Sequence, residues 1–507
     1  MTANSGLEPA RLADGLLRRL GLGAKAAVAV FAVAALSACS TMGGRTADSP
    51  AQPWVPPAQA GKPQALPAPS PAPVVSAELQ SSGRAWTLSD IVDVGLSNNP
   101  QTRAAWNAAR AAQAAVGISL GEYFPEVDLN VTGIKEKMAY LGGLYVVKLR
   151  MLQPTATLTF LIFNFGGREA DVQTARRTLE AANWTQNAVY QNVILQIEDA
   201  YYQNLSARAL LEAQEANRKE AQANYDAANE RHRSGVATIA DVLQAKTALS
   251  TIDLQIVTTR GMIQTLHGAL ASAMGLRADT AFEIADSLPE SIPFDVVSKQ
   301  VDLCIKEAEA SRPDLAAARA QVLAAEAGVR KARSTFFPTF SLTEQVGRMY
   351  YEGNPRSNPF YVLSLSVDLP FLFGLQQFAV NEAKAKAEAA RDEMTGLNRA
   401  IELQVWTSYY GLKTSEQQIR TSRDLLESAQ ASYDVALGRY KEGVGSILDL
   451  LAAEAALENA RVQLVQAKSS WFLALVQFTH DTGALQPPEA SLKSGPASSP
   501  EKGDRRP

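Results

Sequence analysis

The sequence predicts a mainly α chain with a β-barrel component, assembled from a duplicated unit whose long coiled-coil hairpins are joined to a pair of strands. Three observations carry this expectation. Tyr225, Gly235, Asp241 and Gly275 recur as Tyr433, Gly443, Asp449 and Gly483, every pair 208 positions apart, and such fixed-offset self-similarity marks a repeated structural unit. Each copy contains a proline-free stretch of helix formers, about 168–233 and 376–441, which at 1.5 Å per residue reaches roughly 100 Å. Each copy also holds two segments in which apolar and polar residues alternate, the period of a strand with one apolar face.

Before the repeats, Arg18, Arg19 and Lys25 precede an apolar run from Ala26 to Ala38 that is too short to span a bilayer as a mature helix and reads as an export signal over 1–38. It ends in Leu36-Ser37-Ala38-Cys39, which resembles the lipobox of bacterial lipoproteins. That resemblance implies cleavage before Cys39, acylation of its thiol and new amino terminus, and, with Ser40 following, sorting to the outer membrane. Residues 39–85 then read as an acylated Cys followed by a Pro-rich tether, since Pro53, Pro56, Pro57, Pro63, Pro67, Pro69 and Pro71 favour extended chain. Cys304 is the other cysteine. A lipidated Cys39 leaves it without a disulfide partner, and Val301, Leu303 and Ile305 around it predict a buried thiol.

The first repeat is placed at 86–290 and the second at 291–485, with a disordered tail over 486–507. In the first copy Thr87-Leu88-Ser89-Asp90 offers Thr87 or Ser89 as the cap of a helix carrying Ile91, Val94 and Leu96, and a second helix runs from about Pro100 to Tyr123. At Phe124-Pro125 the period changes to Val127, Leu129 and Val131 alternating with Asp128, Asn130 and Thr132, and a partner strand carrying Leu158, Phe160 and Ile162 ends near Phe165. The second copy supplies Phe340, Leu342 and Val346, then Leu363, Leu365, Val367 and Leu369. Asn99-Pro100 and Phe124-Pro125 match Arg312-Pro313 and Phe337-Pro338 at an offset of 213, so the strand region must absorb five residues. After each long helix the chain turns at a glycine and returns with heptad-like spacing, Val242, Ala245, Leu249, Ile252 and Ile256 in one copy and Leu450, Ala453, Leu457, Ala460 and Leu464 in the other.

Four strands cannot close a barrel around a channel, because even the smallest outer-membrane barrels use about eight. Strands that do span a membrane must therefore be shared among copies, and three copies give twelve; the alternative is a periplasmic coiled-coil scaffold with a small soluble sheet. Lys plus Arg number 48 against 52 Asp plus Glu, a net charge of −4, which gives no reason to expect nucleic-acid binding.

The duplicated unit, with Phe165-Gly166-Gly167-Arg168 and the turn segments running from Arg231 to Leu243 and from Arg439 to Leu451, resembles the TolC-type outer-membrane factors. With the lipobox, the resemblance is to the lipidated branch serving resistance-nodulation-division pumps. It implies a homotrimer with a twelve-stranded barrel in the outer-membrane lipid and a periplasmic helical tunnel. The glycine turns at Gly235 and Gly443 would form the tip that meets a periplasmic adaptor protein of an inner-membrane pump. In the family, aspartates near the second turn line the closed aperture, which maps onto Asp449, whereas Ala452 and Gly445 stand where a further aspartate and an arginine often occur. Asp241 belongs with the tip residues that would meet the adaptor, and for either aspartate the alternative is a carboxylate that stabilises a helix N-terminus. Arg231, His232, Arg439 and Tyr440, one turn before the glycines, suit adaptor docking, a neighbouring subunit, or a solvated helix end.

His232, His267 and His480 show no ligand spacing, so no metal or other cofactor is expected beyond the covalent lipid on Cys39. No catalytic constellation is present in the pattern, and a passive conduit rather than an enzyme is expected. Export of small toxic compounds, a type I protein secretion duct and a non-channel scaffold are the competing functions.

Overall fold

The computed structural model describes residues 46–47, 49–55, 84–140, 142, 144–289, 292, 299–353, 356–371 and 374–485. The predicted signal segment, Cys39, most of the Pro-rich stretch and the 486–507 tail lie outside the described residues. The elements in chain order are α1 (Leu88–Asn98), α2 (Pro100–Gly121), β1 (Glu126–Tyr140), β2 (Tyr145–Phe163), α3 (Gly167–Arg233), α4 (Ile239–Ala273), α5 (Val301–Ser311), α6 (Pro313–Ser334), β3 (Thr339–Tyr351), β4 (Asn358–Asp368), α7 (Leu375–Lys441) and α8 (Ile447–Asp481). The helices of the two copies match in length, with 11, 22, 67 and 35 residues in each. The offset is 213 from Pro100 to Pro313 and 208 from Gly167 to Leu375, so the missing five residues fall between them, in the strands and their connections. Among the described residues no helix is long and apolar enough to cross a membrane.

The chain divides into two compact units. One holds residues 110–179 and 323–387 and is built on a four-stranded antiparallel sheet in the order β1-β2-β3-β4. Its register separates two chemistries. Val127 pairs Leu158, which pairs Glu344 and then Leu363; Leu129, Ala156, Val346 and Tyr361 form the next row. Apart from Glu344 these rows are apolar, and Leu129 is 83 % exposed. The rows between them, Asp128, Thr157, Gln345 and Val362, then Glu126, Thr159, Thr343 and Ser364, are mostly polar and project from the opposite face.

The turn from β2 into α3 explains the Phe-Gly-Gly-Arg motif. Phe165 and Gly166 take positive φ of 52° and 85°, and a side chain at Gly167 would sit 2.6 Å from Ser334 Oγ. Phe165 stacks on Phe337 with ring centroids 4.9 Å apart. Arg168 donates to the carbonyls of Leu161 (2.8 Å) and Glu122 (3.1 Å) and lies over the Tyr123 ring. The motif thus orients the strand pair against the start of the long helix.

The other unit holds residues within 46–109, 180–322 and 388–485. Its α1 opens on the predicted cap: Thr87 and Asp90 form a capping box, in which side chains satisfy otherwise unpaired N–H groups. Ile91, Leu96, Ile194, Ile197, Leu205, Leu270 and Met274 make one core. A second core gathers Cys304, Leu315, Ile401, Leu412, Trp471 and Phe472, where burial pushes the Cys304 thiol above its usual range. Each returning helix closes on a glycine at positive φ, Gly275 (75°) and Gly483 (72°), pressed against the end of the short helix of its own copy. A Cβ at Gly275 would meet Asn98 O at 2.8 Å, and one at Gly483 would meet Ser311 Oγ at 2.6 Å.

Residues 46–47 and 49–55 lie against the helices of this unit. The Trp106 indole donates to Ala47 O (2.8 Å), Asn187 exchanges hydrogen bonds with the Trp54 backbone (2.6 and 2.8 Å), and Trp54 packs edge-on against Trp184. The chain therefore meets the folded body at Ala47, ahead of most of the prolines expected to form the spacer.

Candidate functional site

The two glycine turns connect α3 to α4 and α7 to α8, and both are built alike from local forces. Gly235 N–H bonds His232 O and Val236 N–H bonds Arg231 O, each at 2.9 Å; Gly443 and Val444 repeat this with Tyr440 O and Arg439 O at 3.1 and 3.0 Å. This is a Schellman closure, which needs a left-handed residue after the helix, and Gly235 and Gly443 supply φ of 76° and 77°. Gly445 N–H also bonds Arg439 O, and a side chain at 445 would crowd Arg439 at 3.0 Å, so the arginine the family often carries near this position would not fit without a shift.

The returning helices start on capping boxes. Thr238 caps α4 with Asp241 as its reciprocal partner (2.8 Å from Thr238 N to Asp241 Oδ2), and Ser446 caps α8 with Asp449 (3.1 Å from Asp449 N to Ser446 Oγ). Both aspartates thus have a local structural task, and Asp449 keeps its carboxylate exposed. The spacing Thr-x-x-Asp and Ser-x-x-Asp at residues 238–241 and 446–449 is the sequence signal for these caps.

One cross-link joins the two turns. Arg231 Nη1 donates to Tyr440 O at 2.5 Å and its guanidinium lies 4.5 Å from the centre of the Tyr440 ring, which combines a charge-assisted bond to a helix C-terminus with a cation–π contact. Tyr440 is buried. Arg231 and Tyr440, both predicted as docking residues, are therefore engaged with each other; His232 Nδ1 donates to Ala237 O at 3.0 Å, and Arg439 stays exposed. Sequence reasoning missed the apolar residues beside the turns. Val236 and Val444 are each 70 % exposed, with Ile239 and Leu448 beside them also exposed. Their signal was the residue right after each turn glycine, where a solvated corner ordinarily carries a polar side chain.

Above the second turn, α3, α7 and α8 share a buried polar ladder. Arg461 takes Glu220 in a bidentate pair (2.8 and 2.9 Å) and also donates to Asn217 (2.6 Å) and Gln430 (3.2 Å). One heptad nearer the turn, Asn224 donates to Glu454 Oε2 (2.9 Å), while Glu454 Oε1 is buried with no partner. Glu454 is only 5 % exposed. Burial raises its carboxyl above the ordinary range against the lowering pull of Asn224, with Glu220 and Glu458 adding to the rise.

Among the described residues no group of His, Cys, Asp and Glu could hold a metal ion.

A profile of the outer membrane efflux protein family matches residues 92–276 and 304–484, one segment in each copy of the repeat. Protein CyaE of Bordetella pertussis is 26 % identical over 383 residues, covering 74 % of this chain and 79 % of that protein. The probable efflux pump outer membrane protein TtgC of Pseudomonas putida is 24 % identical over 428 residues, covering 78 % and 84 %. The solved outer-membrane channel OprN superposes with a TM-score of 0.72 at 20 % identity over 82 % of this chain and 92 % of that one, a likeness of fold. With the profile spanning well over half of its length in two copies, the chain belongs to the outer membrane efflux protein family, as a TolC-type outer-membrane factor.

Proposed function

We propose that this chain is one of three identical subunits of a passive duct that carries small toxic compounds from the periplasm to the exterior, working with an adaptor and an inner-membrane pump. The observation that carries the reading is the sheet: its exposed apolar rows suit lipid, its polar face suits a water-filled lumen, and β1 and β4 each have a free edge among the described residues. Open edges in hydrocarbon cost several kcal/mol per unpaired backbone group. Closure by three copies of four strands removes them. Acylation of Cys39 would add a lipid anchor, and the exposed valines at the turns, with Arg439 beside them, would meet the adaptor.

Within this reading Asp449 from three copies lines the aperture, a ring of carboxylates that favours cations. Two substitutions separate that role from capping. Asp449→Asn keeps an acceptor for Ser446 N–H but removes the charge, and it should weaken block by a trivalent cation roughly tenfold; Ser446→Ala removes the cap hydroxyl and should leave block unchanged. Equal block in Asp449→Asn and the parent would take Asp449 out of the aperture. The duct itself is tested by single-channel recording and by mass in detergent. A monomer without conductance would overturn it.

A further inference from the structure

The apolar face of the sheet is interrupted by two cationic rows near its far end, beyond which Ala139 pairs Val146. Following β1 and β2 away from the helices, successive rows read Val127 with Leu158, Leu129 with Ala156, Val131 with Pro154 and Gly133 with Leu152, and then Lys135 with Arg150 and Lys137 with Lys148. Two consecutive rows on this same face set cation directly against cation. Directly opposed side chains on paired strands lie about 5 Å apart at Cβ, and like charges there are destabilising. Arg150 is relieved by Glu352, at 2.7 Å. Lys135, Lys137 and Lys148 are exposed and make no ion pair among the described residues. The other charges of this face are elsewhere: Arg348 is two rows nearer the helices and donates to Ser357 Oγ (3.1 Å), and Glu344 shares the row of Val127. Glu136 projects from the opposite face, paired with Leu149.

We propose that Lys135, Lys137 and Lys148, with Arg150 at their edge, form a binding site for the phosphate groups of an anionic lipid in the outer leaflet of the membrane. The site rests on the duct reading, which makes this face the lipid-facing one and puts the Tyr140–Tyr145 end of the β1–β2 pair on the exterior side. Its depth fits. From the row of Val127 to that of Lys135 is eight residues, about 27 Å along a strand, and a strand tilt of about 40° reduces this to roughly 20 Å of depth, close to the apolar band of about 25 Å. The lysines therefore emerge where hydrocarbon gives way to headgroups, their stems lying on the apolar rows and their ammonium groups reaching up. A phosphate monoester carries close to two negative charges near neutral pH and three acceptor oxygens. It supplies the counter-charge that the sequence withholds, and a zwitterionic headgroup does so less well.

The test uses the full-length protein in mild detergent, with lipid retention read by native mass spectrometry. The probes are bisphosphorylated lipid A and the same lipid after phosphatase treatment. The parent protein should retain the phosphorylated form selectively, and less of it as salt rises. Replacing all three lysines by Gln should lower its affinity roughly a hundredfold, at about fivefold for each basic residue near an anionic surface. Lys137→Gln or Lys148→Gln alone should give the fivefold step, and replacing the three lysines by Arg should restore retention. Undiminished retention in the triple Gln variant, or equal retention of the phosphatase-treated lipid, would overturn the site. Conductance measured on the same preparations keeps the two readings apart: a conducting protein whose lipid retention ignores the lysines loses only this site, whereas a parent protein that carries no current loses the duct as well.

Discussion

Alanine should cost more at Gly275 than at Gly235, although both residues hold nearly the same positive φ, 75° and 76°. At Gly235 nothing lies within 4 Å of where the methyl would go, so the penalty is the left-handed backbone alone, about 1–2 kcal/mol. At Gly275 the same methyl would stand 2.8 Å from both Asn98 O and Asn99 Cα, and overpacking adds roughly 1–3 kcal/mol to the backbone term. The thermal midpoint of the purified protein should therefore fall further for Gly275→Ala than for Gly235→Ala. Equal midpoints would show that the short helix yields to the intrusion. These glycines were legible as repeat landmarks, and their reasons differ: two close a helix, and two also let one element approach another. A cap at Thr87 or Ser89 was legible from residue type, and the reciprocal bonds with Asp90 single out Thr87. Arg231 and Tyr440 were legible only as neighbours of the turns, because the bond between them joins residues 209 positions apart and no local pattern encodes such a partner.

At the scale of elements, the buried ladder of α3, α7 and α8 predicts a pH dependence. Glu454 is raised by burial, and burial pushes Glu198 on α3 up to about 7 from an ordinary 4.5. A carboxyl whose folded value is raised is held neutral by the fold while the unfolded chain ionises, so its unfavourable contribution is absent below the ordinary carboxylate range and grows as pH rises towards 7. The helical body should accordingly be most stable towards pH 4.5 as far as these two groups are concerned. Glu198→Gln combined with Glu454→Gln should flatten the fall in thermal midpoint between pH 4.5 and 7, and an undiminished slope would assign it to other groups. By contrast, Arg461→Met leaves Glu220 and Asn217 without their partner and should cost about 1–3 kcal/mol, less than for a fully buried pair because solvent still reaches Glu220. The two long helices of this ladder were legible in the sequence almost to the residue, because a proline-free stretch that stops at a glycine turn leaves little choice of ends. The ladder was not, since a polar residue on a long helix usually faces water.

At the scale of the whole molecule, Cys39→Ala should abolish labelling by a palmitate analogue, and persistent labelling would remove the proposed anchor. The predicted spacer needs a shorter reading than its prolines suggest, because Trp106 and Asn187 already hold the chain at Ala47 and Trp54. Composition could not reveal this docking, which depends on indole and amide groups lying far along the sequence. Cys39 precedes Ala47 by eight residues, a reach of about 28 Å at full extension. An acylated Cys39 would thus act as a mooring line of fixed length, setting how far below the bilayer the Trp106 helix can hang. Lengthening residues 40–46 with Gly-Ser repeats should leave the protein seated, whereas removing four of them should either tear Ala47 from Trp106 or pull the lipid out of its leaflet.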